Sequence, residues 1–216
     1  MVPGIVGSWD SWELPQLDIN PERDDIAWVE ALLDDLGSHA CVDLARVYAT
    51  GLSNGGFFSA TLVCALADRI AATSSVAGVT HPEPCEPSRP VPMLAFHGTG
   101  DTVVPFDGGD SVLLGPDSPE AARQFFSQSM PDELGQFAAD FNCSAITDTA
   151  LTETITRTDY AECDEGVTLQ FHRIEGDGHT WPGSIVLAPF VPTTLDLDAT
   201  RVAWEFFEQW SLPPGG

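Results

Sequence analysis

The chain has 216 residues, 43% of them hydrophobic and 9% aromatic, enough to bury one sizeable core, so a single domain over 1–216 is the expectation. Acidic residues outnumber basic ones 33 to 8, every basic residue is arginine, and the formal net charge is -25. Such a surface repels phosphate backbones and anionic headgroups, which argues against nucleic acid and membrane surfaces as partners; no run approaches the ~18 apolar residues of a spanning helix.

Taken in order, the elements alternate. "PERDDIAWVEALLDDLG" predicts a helix, opened by proline and closed by glycine, with Ile26, Val29, Leu32, Leu33 and Leu36 on one face. "RVYATGL" reads as a short strand and "NGGFFSATLVCALADRI" as a helix presenting Phe57, Leu62 and Leu66. "AATSSVAGV" and "VPMLAFHG" are almost continuously apolar, like strands covered on both faces. A helical stretch at about 118 to 140 precedes a Thr-rich hairpin-like segment, "TDTALTETITRT". "VTLQFHRIEG" is the last strand and "DATRVAWEFFEQW" the last helix. This order implies an α/β fold with a mostly parallel sheet flanked by helices.

The five cysteines, at 41, 64, 85, 143 and 163, show no zinc-site spacing. Cys85 in "HPEPCEPSRP" and Cys163 in "DYAECDEG" lie in loops where a thiol would be exposed, so two disulfides with one cysteine left over are expected, in an oxidising compartment. "MVPGIVGSWDSW" has no basic segment followed by an apolar one, so no signal peptide is visible. A secreted or extracytoplasmic protein is expected, its address not carried by this chain.

The chemistry concentrates at Gly51-Leu52-Ser53-Asn54-Gly55, a G-x-S-x-G between a strand and a helix. That context suits a nucleophile elbow: a sharp turn lifts the hydroxyl off the sheet, beside the positive end of the following helix. A serine hydroxyl is a weak nucleophile and needs a base, itself oriented by an acid. Asp101 follows the apolar strand in "HGTGDTVVPF", and His179 follows the last strand in "EGDGHTWPG", giving the chain order Ser, Asp, His. Asp107 and Asp110 lie further from the strand end, and Asp177 is too near His179 in sequence to orient it. His39, His81 and His172 read as structural or solvated, and His97 as a structural residue hydrogen-bonded near the acid loop.

"RVYATGLSNGG", "PMLAFHGTGDTVVPF" and "GDGHTWPG", with Asp24-Asp25 before the first helix, resemble the three blocks of the polyhydroxybutyrate depolymerase and feruloyl esterase group of α/β-hydrolases, which includes carbohydrate esterase family 1-like proteins. The resemblance runs from about residue 3 to 210. It implies a secreted serine esterase with the α/β-hydrolase fold, with Ser53 as nucleophile, His179 as general acid and base, and Asp101 as orienter. It also implies disulfides Cys64 with Cys85 and Cys143 with Cys163. Acyl transfer by this route needs neither metal nor organic cofactor, and its partner is a small-molecule or polymeric ester: feruloyl-type, polyhydroxyalkanoate or aromatic polyester. The backbone N–H of Asn54 is one oxyanion donor. Members of the group carry opening strands and an HG-type loop supplying a second donor upstream of "PGIVGSW", so an N-terminally shortened chain is expected, with Cys41 lacking an upstream partner. Loss of one donor typically lowers turnover about 10²- to 10³-fold. Trp181, Trp9 and Trp12 are candidates for an acyl site. A peptidase on the same scaffold, or an inactive module retaining the triad residues, are the alternatives.

Overall fold

A computed structural model describes residues 24–114, 120 and 126–213. Helix α1, Asp25–His39, is capped by Asp24, whose Oδ1 accepts the Ala27 N–H at 2.8 Å, which satisfies one of the donors left open in a first helical turn. Leu33 is buried and Ile26, Val29 and Leu36 half-buried, while Leu32 points outward. The apolar face is therefore one residue narrower than the letters suggest. Ile26 and Val29 pack on Phe58, Leu62, Leu66 and Ile70, three of them in or just after helix α2, Asn54–Ala65. Helix α2 stops earlier than its apolar run: Arg89 Nη1 donates to the carbonyls of Ala67 and Ile70 just beyond it.

Among the described residues, six strands form one mixed sheet: β1 Tyr48–Leu52, β2 Ala72–Val76, β3 Met93–Gly98, β4 Ala145–Ala150, β5 Ile155–Ala161 and β6 Leu169–Ile174, in the order β1-β2-β3-β6-β5-β4. β1, β2, β3 and β6 are parallel, and β5 and β4 continue the sheet antiparallel. The C-terminal ends of the four parallel strands consequently share one rim. Every residue of β2 and β3 is buried, whereas β1, at the edge of the described sheet, is only partly so.

Alternation along β3 divides the core. Met93 and Ala95 join Phe57, Val63, Phe137, Leu169 and Phe171 on one face, and Leu94 and Phe96 join Val76, Ile174, Phe206 and Phe207 on the other, as a period of two requires of a strand covered on both sides. The first face is covered by α2 and by α3, Met130–Asp140, whose first turn is capped by Ser129. The second is covered by α4, Ala199–Phe207, capped by Asp198. Tyr48 of the edge strand stacks on Phe207 at 4.8 Å and donates its hydroxyl to the Trp210 carbonyl at 2.8 Å.

Disulfides join Cys64 to Cys85 and Cys143 to Cys163; Cys41 is free and exposed. The first ties the end of α2 to the proline-rich loop. Cys163 is buried in the core cluster around Phe141, a correction to the exposed thiol that its polar neighbours suggested. Among the described residues, no helix is long and apolar enough to cross a membrane.

Candidate active site

Ser53 is the single residue between β1 and α2, and its backbone, at φ 58° and ψ -121°, lies in a region disfavoured for residues with a Cβ. Its N–H donates to the Val76 carbonyl at 2.8 Å, fixing the turn to the end of β2. Strand and helix approach so closely that a Cβ on Gly51 would lie 2.6 Å from the Gly55 carbonyl oxygen and 2.7 Å from its Cα. A Cβ on Gly56 would lie 2.6 Å from the Gly78 oxygen, and one on Gly78 would lie 2.6 Å from the Ser53 oxygen. Among the described residues, nothing lies within 4 Å of a Cβ built on Gly55. The crowding that demands glycine thus falls on Gly51, Gly56 and Gly78, and the second glycine of the pentapeptide is spared it. Ser53 makes no side-chain bond to its own helix, which Asn54 opens.

Asp101 and His179 are brought into contact by the loops after β3 and β6. Gly98 ends β3 where any side chain would run into the Asp177 carbonyl, and the Gly100 N–H donates to that carbonyl at 2.8 Å. The Asp101 carboxylate is buried and fully engaged. Oδ1 accepts the N–H groups of Val103 and Val104 at 2.8 and 2.9 Å, and Oδ2 accepts from His179 Nδ1 at 2.8 Å. Burial alone would push this carboxyl's pKa up, but the hydrogen bonds from His179, His97 and the Val104 amide, with the attraction of a charged His179, outweigh it and hold the pKa well below the ordinary carboxylate range. Asp101 is therefore an anion, and an anion only accepts. Nδ1 of His179 carries the hydrogen, and Nε2 is left as the ring nitrogen able to exchange a proton.

The other acid and base candidates are exposed or engaged with other partners. Asp107 and Asp110 are exposed. Asp177 Oδ2 accepts the Thr194 N–H at 3.0 Å, and burial pushes its pKa up. His39 pairs with Asp35 on the surface, and His81 Nε2 meets Asp140 Oδ2 at 2.7 Å. His172 is buried in β6 and stacked on Phe96; burial, reinforced by the charge of Arg157, lowers its pKa to about 4. His81, Cys85 and Asp140 place ligand atoms within 4.8 Å of one another, but the Cys85 sulfur is bonded to Cys64 and the other two bond each other, so the trio does not present a thiolate donor set. Trp181 packs against the cluster beneath α4, and its Nε1–H donates to Thr200 Oγ1 at 3.0 Å. Trp9 and Trp12 lie outside the described residues.

Sequence reasoning missed the Val103 and Val104 amides, since a backbone donor leaves no letter to find. Gly56 it overlooked, although it stands directly after the motif, and Gly78 it could not place, since only the end of β2 brings that glycine to the turn.

No family model matches the chain. It is 30% identical over 207 residues to esterase NocK of Nocardia uniformis subsp. tsuyamanensis, covering 89% of this chain and 58% of that protein. It is 30% identical over 204 residues to feruloyl esterase B of Piromyces equi, covering 89% of this chain and 32% of the relative. The chain thus spans less than two thirds of either relative. An acetyl xylan esterase from Aspergillus awamori superposes with a TM-score of 0.54 over 85% of this chain and 67% of its own, at 13% identity, a likeness of fold.

Proposed function

Since the chain belongs to a feruloyl-esterase-like group of α/β-hydrolases, we propose that it hydrolyses carboxylic esters by acyl transfer, with Ser53 as nucleophile, His179 as general acid and base, and Asp101 as its orienter. The observation that carries this reading is the 2.8 Å hydrogen bond from His179 Nδ1 to a buried, ionised Asp101, at the same rim as the turn that carries Ser53.

The Ser53 hydroxyl gives its proton to His179 Nε2 as its oxygen attacks the ester carbonyl, and Asp101 stabilises the imidazolium that forms. His179 then returns the proton to the departing alcohol, leaving an acyl-enzyme; the same nitrogen takes a proton from the water that attacks the acyl carbonyl and gives it to the Ser53 oxygen as the acid leaves. The N–H of Asn54, the residue after the nucleophile, is assigned to the oxyanion. Similarity to a relative named feruloyl esterase B favours feruloyl-type esters, with polyhydroxyalkanoate oligomers and aromatic polyesters as further candidates. Trp181, half-exposed two residues beyond His179, is assigned to the acyl side. Two disulfides support an extracytoplasmic setting.

Hydrolysis of p-nitrophenyl butyrate and methyl ferulate by the chain and by Ser53→Ala tests the reading. Turnover by the parent that falls to background in the variant supports it, and a Ser53→Ala protein that keeps its turnover overturns it.

A further inference from the structure

His97 is the penultimate residue of β3 and is almost fully buried, with its ring against Phe106. Its Nε2 lies 2.8 Å from the Val104 carbonyl oxygen and 3.4 Å from Asp101 Oδ2. A carbonyl only accepts, so Nε2 carries a hydrogen, and that hydrogen lies between two oxygens. The Val104 peptide is consequently held on both sides: its carbonyl accepts from His97, and its amide donates to Asp101 Oδ1 at 2.9 Å. Oδ2 is approached by two imidazoles, His179 at 2.8 Å and His97 at 3.4 Å. The other ring nitrogen of His97, Nδ1, is buried with no hydrogen-bond partner among the described residues. Burying an unpartnered ring nitrogen is unfavourable, and a leucine would fill the space without it. Filling space is therefore a poor account of His97; its Nε2–H is what the site uses.

We propose that His97 is a positioning residue for ester hydrolysis: its Nε2–H braces the Val104 peptide and Asp101 Oδ2, so that the carboxylate stays turned toward His179. The inference rests on the assignment of Ser53, Asp101 and His179 given above. Among the described residues, the donors to this carboxylate are the Val103 and Val104 amides, His179 and His97. Of the two side chains, His97 is the one that need not meet substrate.

The test compares His97→Leu and His97→Met, which fill the space without a donor, with His97→Gln, whose amide N–H reaches a similar position. Kinetics on p-nitrophenyl butyrate, thermal denaturation, and the low-field proton resonance of the His179–Asp101 hydrogen bond are measured for each, alongside Ser53→Ala. Expected are a fall in kcat of about tenfold, the equivalent of one modest hydrogen bond, with KM within about twofold of the parent for whichever apolar variant folds. The low-field resonance shifts or broadens in that variant, and His97→Gln recovers kcat to within about threefold. A folded apolar variant with parental kcat and an unmoved resonance overturns the proposal, as does a His97→Gln protein no better than the apolar ones. Full activity in Ser53→Ala instead sinks the assignment of the nucleophile, and the resonance, which needs no turnover, still reports whether His97 positions the Asp101–His179 pair.

Discussion

Gly51→Ala and Gly55→Ala alter the two glycines of one pentapeptide, and the structure assigns them opposite consequences. A Cβ on Gly51 would stand 2.6 Å from the Gly55 oxygen and closer still to its carbonyl carbon, against the 3.4 Å at which ordinary contact begins, so at least about 0.8 Å must be found. The obstacle is backbone in the first turn of α2, which has no rotamer to retreat into. Overpacking of this kind costs about 1–3 kcal/mol, which for a domain of this size lowers Tm by about 2–12 °C. Because what moves is the turn carrying Ser53, kcat falls by about 10²-fold, the typical consequence of a 1 Å misplacement. Gly55→Ala meets nothing within 4 Å among the described residues and sits in a helix with no positive φ. It restricts the unfolded chain and stabilises by about 0.4–1 kcal/mol, raising Tm by about 1–4 °C. Thermal denaturation followed by circular dichroism, paired with p-nitrophenyl butyrate kinetics, reads both effects. Equal damage from the two substitutions, or a Gly51→Ala protein with parental Tm and kcat, would refute the reasoning.

His172 has an ordinary value of 6.5 and a folded value of about 4, so the unfolded state takes the proton first. Its contribution is flat above pH 6.5, and stability is lost as pH falls from there to about 4, by about 3 kcal/mol at 1.36 kcal/mol per pH unit. His172→Gln should remove that part of the slope between urea denaturations at pH 7.5 and 4.5; an unchanged slope means that other groups set it. The Cys64–Cys85 bridge closes a loop of sequence separation 21, worth about 3 kcal/mol in the chain-entropy account. Replacing both cysteines by alanine should lower Tm by about 6–12 °C, and a loss below 2 °C would place the constraint elsewhere.

Much of the architecture was legible because each element announces itself in a few letters. The unbroken apolar opening of β3, Met93 to Phe96, is what a strand covered on both faces needs, and Asp24, Ser129 and Asp198 each stand one residue before a helix that they cap. The strand-end positions of Asp101 and His179 were legible for the same reason, since both follow an apolar run and sit among glycines. Illegible features depend on neighbours distant in sequence. Leu32 lies at the margin of the α1 arc, and only the place of α2 decides that it faces out. Cys163 sits among polar letters, but the closing of the chain around Phe141 takes its sulfur inward. The hold on Asp101 Oδ1 comes from amides, which every residue but proline has, so composition is silent about it. That Gly55 is spared crowding while Gly56 is not depends on where β2 delivers Gly78.

The backbone of Ser53 has a further implication for laboratory evolution. At φ 58° a residue with a side chain is held at an expense on the order of 1–3 kcal/mol, which glycine largely avoids. A library sorted only for survival after heating, with no turnover demanded, will therefore gather glycine at position 53. Heat resistance and catalysis make opposite demands on this one residue, so any stabilisation campaign must keep an activity screen in every round.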